Sequence, residues 1–444
     1  MLTFFSGPVE RKISPMPSQS FSQPSLPSFT QGDTLDVGFV RRQFPSLNQA
    51  QTQDWIFMDN AGGSQVAQPV IDRLNHYLLT SNVQLGASYG VSQQASDRLS
   101  QATQQTAVWL NAADVREIVM GPSTSMLLRI LAHCMGQTLQ PGDEIIVTNC
   151  DHEANITPWR ELAHRGVKVK TWRLNPDSLM LETEDLKSLL TDRTRLVALT
   201  HASNVLGSLN PIRQIADLVH QTGAMLCVDG VGYAPHRAVD VQAMDVDFYV
   251  FSFYKVYGPH HALLYGKRDR LLALPSFNHE FIGSDQVPYK FQPGGANYEL
   301  TYATLGLVDY VRAIAAHQGY STAGLRQQIL AVFDAIAAYE ERLSDRLLSF
   351  LTSRPRVRII GSPHSDRHRR VPTLAFVVDG ADSATFPSQI DRHKIGIRYG
   401  HFYAKRLIDD LGLAAQNGVV RISLVHYNTL DECDRLIKIL EPLL

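Results

Sequence analysis

Cysteine is scarce in this chain. There are four, Cys134, Cys150, Cys227 and Cys433, among 444 residues. No two are spaced as C-x-x-C, and free thiols fit the chain better than disulfides or a zinc site. An excess of charge is also lacking: 41 Lys and Arg stand against 43 Asp and Glu. Such a balance carries no footprint for nucleic acid. The basic stretch His364–Arg370 is short and reads as a solvated loop. Apolar runs stop short of the roughly 18 residues a membrane helix needs. The N-terminus shows no basic segment before a long apolar core, so no secretory signal is expected. These absences point to a cytoplasmic protein with no metal centre, no membrane contact and no nucleic-acid partner.

What is present suits a large globular core, with 44% hydrophobic and 19% charged residues. Residues 1–32 are rich in Ser, Pro and Gln and read as a disordered tail. A short helix over Val37–Phe44 is expected to lead into the body. Then apolar strands of about five residues alternate with amphipathic helices, the signature of βαβ units and a mainly parallel sheet. Strands are expected at Ile56–Met58, Glu117–Met120, Glu144–Thr148, Lys168–Trp172, Leu196–Thr200, Met225–Val228, Phe248–Phe251 and Ala262–Tyr265. Between them, helices are expected at Gln68–Leu79, Ser92–Leu110, Ser125–Met135, Pro158–Arg165, Glu184–Leu190 and Ile212–Thr222, with Thr183 as an N-cap. Leu305–Gln318 and Leu325–Ser349 follow as long helices. A smaller α+β pattern closes the chain. Its strands are expected at Val357–Ile360, Thr373–Val378, Gly396–Arg398 and Val419–Ser423, and its helices at Phe386–His393, Ala404–Leu411 and Leu430–Leu443. The fold class is therefore α/β. The expected division is a segment at 33–54 packing with the small domain, a large domain at 55–311 and a small C-terminal domain at 312–444.

Ligands of open α/β sheets bind beyond the carboxyl ends of the strands, so the residues after each strand are the candidates. Ser123, Thr124 and Ser125 open a helix, where backbone amides and hydroxyls suit a phosphate; they are equally an ordinary N-cap. His152 follows the next strand and can stack on a flat ring, or serve as a loop residue. Asn204 can reach a ring oxygen, or sit in a turn. Asp229 ends another strand. Ser252, Tyr254 and Lys255 follow the next, in Phe-Ser-Phe-Tyr-Lys-Val-Tyr. Burial makes a lysine amine nucleophilic towards carbonyls. A lysine for a Schiff base and an aspartate for a pyridinium nitrogen are the two groups pyridoxal 5'-phosphate requires of a protein.

Several longer segments carry a resemblance. They are Asp151–Trp159, His201–Pro211, Val228–Gly230, Asp247–Pro259 and Arg421–Thr429. From about residue 55 to the C-terminus the chain resembles the class V aminotransferase family of fold-type-I pyridoxal-phosphate enzymes, in its cysteine desulfurase-like and selenocysteine lyase-like branch. The resemblance implies an aspartate-aminotransferase-like fold. It implies that Lys255 carries the cofactor, Asp229 pairs with the pyridine nitrogen and His152 stacks on the ring. It places Asn204 at the ring hydroxyl or the substrate. Thr124, Ser252 and Tyr254 would hold the phosphate, with Ser123 and Ser125 beside them. Arg421 would grip the substrate carboxylate, with Arg398 as a second arginine. The Gln292–Asn297 loop, including Gly295, would reach a partner's phosphate in a homodimer.

The chain departs from that pattern in three places. Tyr254 stands where the family has histidine. Gly232 stands where it has glutamine. Tyr403 or Phe402 stands where desulfurases carry a persulfide-forming cysteine. The implied activity is C–S or C–Se cleavage on cysteine, cystine or selenocysteine without a loop persulfide. Its rivals are an aminotransferase or epimerase acting on another amino acid, and a non-catalytic protein that kept the pocket. The substrate expected is a small amino acid; no sulfur acceptor is indicated.

Overall fold

The structure is a computed structural model that describes residues 35–444. The tail expected over residues 1–32 lies outside them. Thirteen strands are numbered in chain order: β1 (Ile56–Phe57), β2 (Ile118–Gly121), β3 (Glu144–Thr148), β4 (Lys168–Trp172), β5 (Thr194–Thr200), β6 (Met225–Asp229), β7 (Phe248–Ser252), β8 (Ala262–Gly266), β9 (Val357–Ile359), β10 (Thr373–Val378), β11 (Ile395–Gly396), β12 (Arg398–Gly400) and β13 (Val419–Ser423).

Seven of these form the main sheet, in the order β2-β8-β7-β6-β5-β3-β4. Only β8 runs against its neighbours. Nearly every residue of β2, β3 and β5 to β8 is buried, as expected of strands covered on both faces. Side chains alternate between two cores. Ile146, Val197, Leu199, Leu226, Val228 and Phe251 join one. Ile145, Val147, Ala198, Cys227, Phe248 and Val250 join the other. That alternation is the period-two geometry of a strand. The α/β fold with a mainly parallel sheet is thus the one expected.

A second, antiparallel sheet has the order β12-β13-β10-β9. The chain reaches it through Leu305–His317 and then the 28-residue helix Leu325–Thr352. Strand β1 pairs in parallel with β11. A further bridge, Asp59 to Ser423, ties the end of β1 to the end of β13. Thus a segment near the start of the described chain sits beside one near its end.

Some local expectations differ. Glu182, not Thr183, is the N-cap of Thr183–Leu189, and no side chain caps it. Pro158–Arg165 is not one helix but an α turn, Thr157–Arg160, followed by a 3₁₀ turn. The single strand expected at Gly396–Arg398 is two, β11 and β12, in different sheets. Two short helices, Arg268–Ala273 and Tyr298–Ala303, were not anticipated. The basic stretch is not wholly solvated: Arg370 is 1% exposed and donates to the carbonyls of Thr373 and Ser362. Among the described residues no helix is long and apolar enough to cross a membrane, and no cluster of His, Cys, Asp and Glu is arranged to hold a metal ion.

Candidate active site

The carboxyl ends of β2, β5, β6 and β7 meet along one edge of the main sheet. Register sets Thr200 beside Asp229 and Asp229 beside Val250. A cavity opens there, lined among others by Ser123, Thr124, Ser125, His152, Asn204, Asp229, Ser252, Tyr254 and Lys255. Nine of the expected site residues therefore share one cavity. Arg421, Arg398 and Gly295 do not line it. Arg421 is buried on β13 beside Asn204; Arg398 and Gly295 line separate cavities.

At one end stands the start of the helix Thr124–Gly136. Ser123 is its N-cap: its hydroxyl accepts from the Met126 amide at 3.2 Å. Thr124 Oγ1 and Ser252 Oγ lie 2.7 Å apart. Two hydroxyls from two strand ends thus converge at a helix N-terminus, a setting suited to an anion.

Lys255 forms a 3₁₀ turn straight after β7 and is 8% exposed. Burial, and then the positive charge of Arg421, lowers its pKa to about 8. Asp229, at the end of β6, is 4% exposed, and burial raises its carboxyl to about 6. Its Oδ1 accepts from the Val231 amide at 2.9 Å. Among the described residues neither Lys255 nor Asp229 has a counter-charge within ion-pair distance. A buried amine and a buried carboxylate left apart in this way are costly unless a third group joins them. Pyridoxal phosphate fits that pair. It offers an aldehyde to the amine, a ring nitrogen to the carboxylate and a phosphate to the hydroxyls.

His152 Nδ1 accepts from the Ala154 amide at 3.1 Å. Burial, followed by the charge on Lys255, lowers the pKa of its ring to about 4. The imidazole is therefore neutral at neutral pH, with its proton on Nε2. Its ring is tilted 33° to that of Tyr403, at 5.1 Å between centroids. The Asn204 side chain donates to the Phe402 carbonyl at 2.7 Å. Gly232 lies at the cavity wall, and a Cβ there would approach the Ala202 carbonyl to 2.5 Å.

Arg421, 2% exposed, donates to the Asn204 carbonyl at 3.0 Å and to Asp59 Oδ1 at 2.8 Å. Arg398 faces the other oxygen of Asp59 at 3.6 Å. Asp59 is thus shared by both arginines, and sequence reasoning missed it. A faint signal exists, because Asp59 follows β1 much as Asp229 ends β6. Strand β1 is only two residues long, however, and lies outside the main sheet, so its end does not stand out. Below the cavity, Asp151 is buried and accepts from Thr148, Asn155 and the Thr200 amide. Burial raises its carboxyl to about 7. It ties the ends of β3 and β5 together. All four cysteines are free and buried. Burial raises the thiols of Cys134 to about 11 and Cys433 to about 12, and those of Cys150 and Cys227 higher still.

The fold and this cavity define a pyridoxal-phosphate-dependent enzyme of fold type I. The chain belongs to the family Aminotransferase class-V, which it matches over residues 56–436. Among its relatives, the aminotransferase-like protein FGM3 of Gibberella zeae is 44% identical over 93% of this chain and 99% of its own. The cysteine desulfurase-like protein ustD of Aspergillus flavus is 34% identical over 90% of this chain and 89% of its own. Among solved structures, the cysteine desulfurase CsdA of Escherichia coli superposes with a TM-score of 0.77 at 27% identity, covering 92% of this chain and 98% of that one.

Proposed function

We propose that the chain cleaves the C–S or C–Se bond of cysteine, cystine or selenocysteine, without passing the sulfur to a thiol on the 398–405 loop. The observation that carries this reading is the unpaired buried couple Lys255 and Asp229 in a cavity beside Arg421. Similarity to proteins described as cysteine desulfurases supports the substrate class.

Bound pyridoxal phosphate supplies an electron sink for the substrate α-carbon. The chain supplies the rest. Thr124, Ser252 and the helix amides, with Ser123, Ser125 and Tyr254 around them, would hold the phosphate. Asp229 would keep a positive charge on the ring nitrogen. His152, neutral, would cover the ring face. Lys255 would anchor the cofactor and would take the substrate α-proton on Nζ. Its lowered pKa leaves a useful fraction of neutral amine close to neutral pH. Arg421, with Arg398 and Asn204, orients the carboxylate. The assay is release of sulfide, pyruvate and alanine from cysteine and cystine; no product from either would overturn the reading.

A second reading is transamination or epimerisation of another amino acid. It is favoured by the four buried, protonated thiols, none of which stands in the 398–405 loop. Product formation that depends on an added keto acid separates transamination from cleavage. The proposed assembly is a homodimer in which the Gly295 loop reaches the partner's phosphate. Four unpaired cysteines support a cytoplasmic setting.

A further inference from the structure

The segment that closes over the carboxylate end of the site holds more than its sequence suggests. Phe402 and Tyr403 are consecutive non-glycine residues in the left-handed region, with φ of 49° and 60°. Bulky side chains avoid that conformation, and surrounding contacts must hold it. Here two main-chain carbonyls are held: that of Phe402 by the Asn204 side-chain amide at 2.7 Å and that of Tyr403 by the Glu153 backbone amide at 2.8 Å. The Phe402 ring lies on the Arg421 guanidinium, 3.7 Å from Cζ to centroid. Tyr403 packs against His152. One short stretch therefore touches His152, Asn204 and Arg421 together.

Arg421 is engaged through both Nη atoms and one face. Its Nη atoms donate to the Asn204 carbonyl and to Asp59. Its Nε is buried without a partner. Its face is covered by Phe402. Burial shuts Nε off from an arriving carboxylate, yet this donor is left unsatisfied, as a ligand site requires. The same segment lines a second cavity, with Arg398, His401, Lys405 and Asp409. In its wall Lys405 is paired with Asp409 at 2.6 Å, and Arg398 faces Asp59 at 3.6 Å; it shares no lining residue with the cofactor cavity.

We propose that Phe402 and Tyr403 form an aromatic gate that determines which amino acids reach Arg421, a role that rests on the proposed amino-acid chemistry of the site. Substrate arrives through the second cavity, the Phe402 ring leaves the guanidinium, and the substrate carboxylate takes the freed Nε edge. Ring and carboxylate compete for the same arginine. The closed gate admits short amino acids whose carboxylate displaces it, and excludes those whose side chain needs the space of the ring.

The test is binding, read as a change in cofactor absorbance when the full chain loaded with pyridoxal phosphate is titrated with L-alanine, which has no leaving group, and with L-phenylalanine. Phe402→Ala is expected to bind L-alanine about tenfold more tightly than wild type, the scale of a desolvated cation–π contact, and to gain binding of L-phenylalanine. Arg421→Gln is expected to abolish both. If Arg421→Gln abolishes binding but Phe402→Ala leaves L-alanine affinity unchanged or weaker, the gate is overturned and the amino-acid site stands. If Arg421→Gln binds L-alanine as wild type does, the site reading itself fails. Phe402→Leu, which keeps an apolar side chain but removes the π face, carries the same test if the alanine variant does not fold, with a smaller gain expected.

Discussion

The two ends of the site are built on opposite plans. At the cofactor end, Lys255 and Asp229 are buried and held apart, and Thr124 and Ser252 face only each other. At the substrate end, Arg421, Asn204 and His152 are all committed to other parts of the chain. The first end is arranged for a guest and bears the electrostatic cost of waiting. The second is satisfied as it stands, apart from the buried Nε of Arg421, and must be opened. On the proposed roles, the difference would separate cofactor binding, which needs little rearrangement, from substrate binding, which must compete with internal partners.

Lys255→Ala tests the waiting end most severely. Turnover should fall by about 10⁴-fold or more, and the purified protein should lose the visible absorbance of bound cofactor. A variant that kept both would erase the distinction between the ends. Asp229→Ala comes next. It should weaken pyridoxal-phosphate affinity by about two orders of magnitude, the scale of truncating one member of a buried charge pair, as measured by equilibrium titration.

Proton dependence sharpens the comparison further. Lys255 must lose its proton to attack an aldehyde, and its pKa stands near 8 because burial, and then Arg421, disfavours the ammonium. Cofactor uptake by the cofactor-free protein should therefore accelerate as pH rises through about 8. In Arg421→Gln a disfavouring positive charge is gone, so that midpoint should move upward. Affinity should also fall as pH drops through about 6, where the Asp229 carboxylate takes a proton. A pH-rate profile of uptake in both proteins checks these directions.

At the committed end, Asp59→Asn removes the carboxylate shared by two arginines. Asp59 is partly exposed, so the loss should be less than that of a fully buried pair, about 1–2 kcal/mol by denaturant titration. The smallest effect belongs to the thiols. Native protein should resist iodoacetamide and keep its turnover after exposure, while denatured protein labels at all four cysteines.

Much of the cofactor end was legible because it is local. A buried apolar strand leaves a recognisable run, and the residue at its carboxyl end inherits its position from the sheet. Lys255, Asp229, Ser252 and Thr124 all follow from that rule. The substrate end was less legible because its contacts join distant segments through conformations with no sequence signature. Asp59 meets Arg421 only because β1 pairs with β11 and is bridged to β13. Nothing in the composition of Phe402-Tyr403 announces two left-handed residues. Arg370 shows the same limit: its run of basic neighbours suggested water, yet it is buried among main-chain carbonyls.

Gly232 shows how a departure from the family pattern becomes hard to retrace. Any side chain there would press on the Ala202 carbonyl. That turn is itself pinned, since the His201 amide donates to the Asp229 carbonyl at 2.8 Å and the Thr200 amide to Asp151 at 2.9 Å. Glutamine cannot simply be put back. The main chain around 200–203 would have to shift first, and it is anchored to the two carboxylate residues the cavity is built on. A laboratory route to any side chain at 232 must therefore begin at that turn, several residues away from the position it alters.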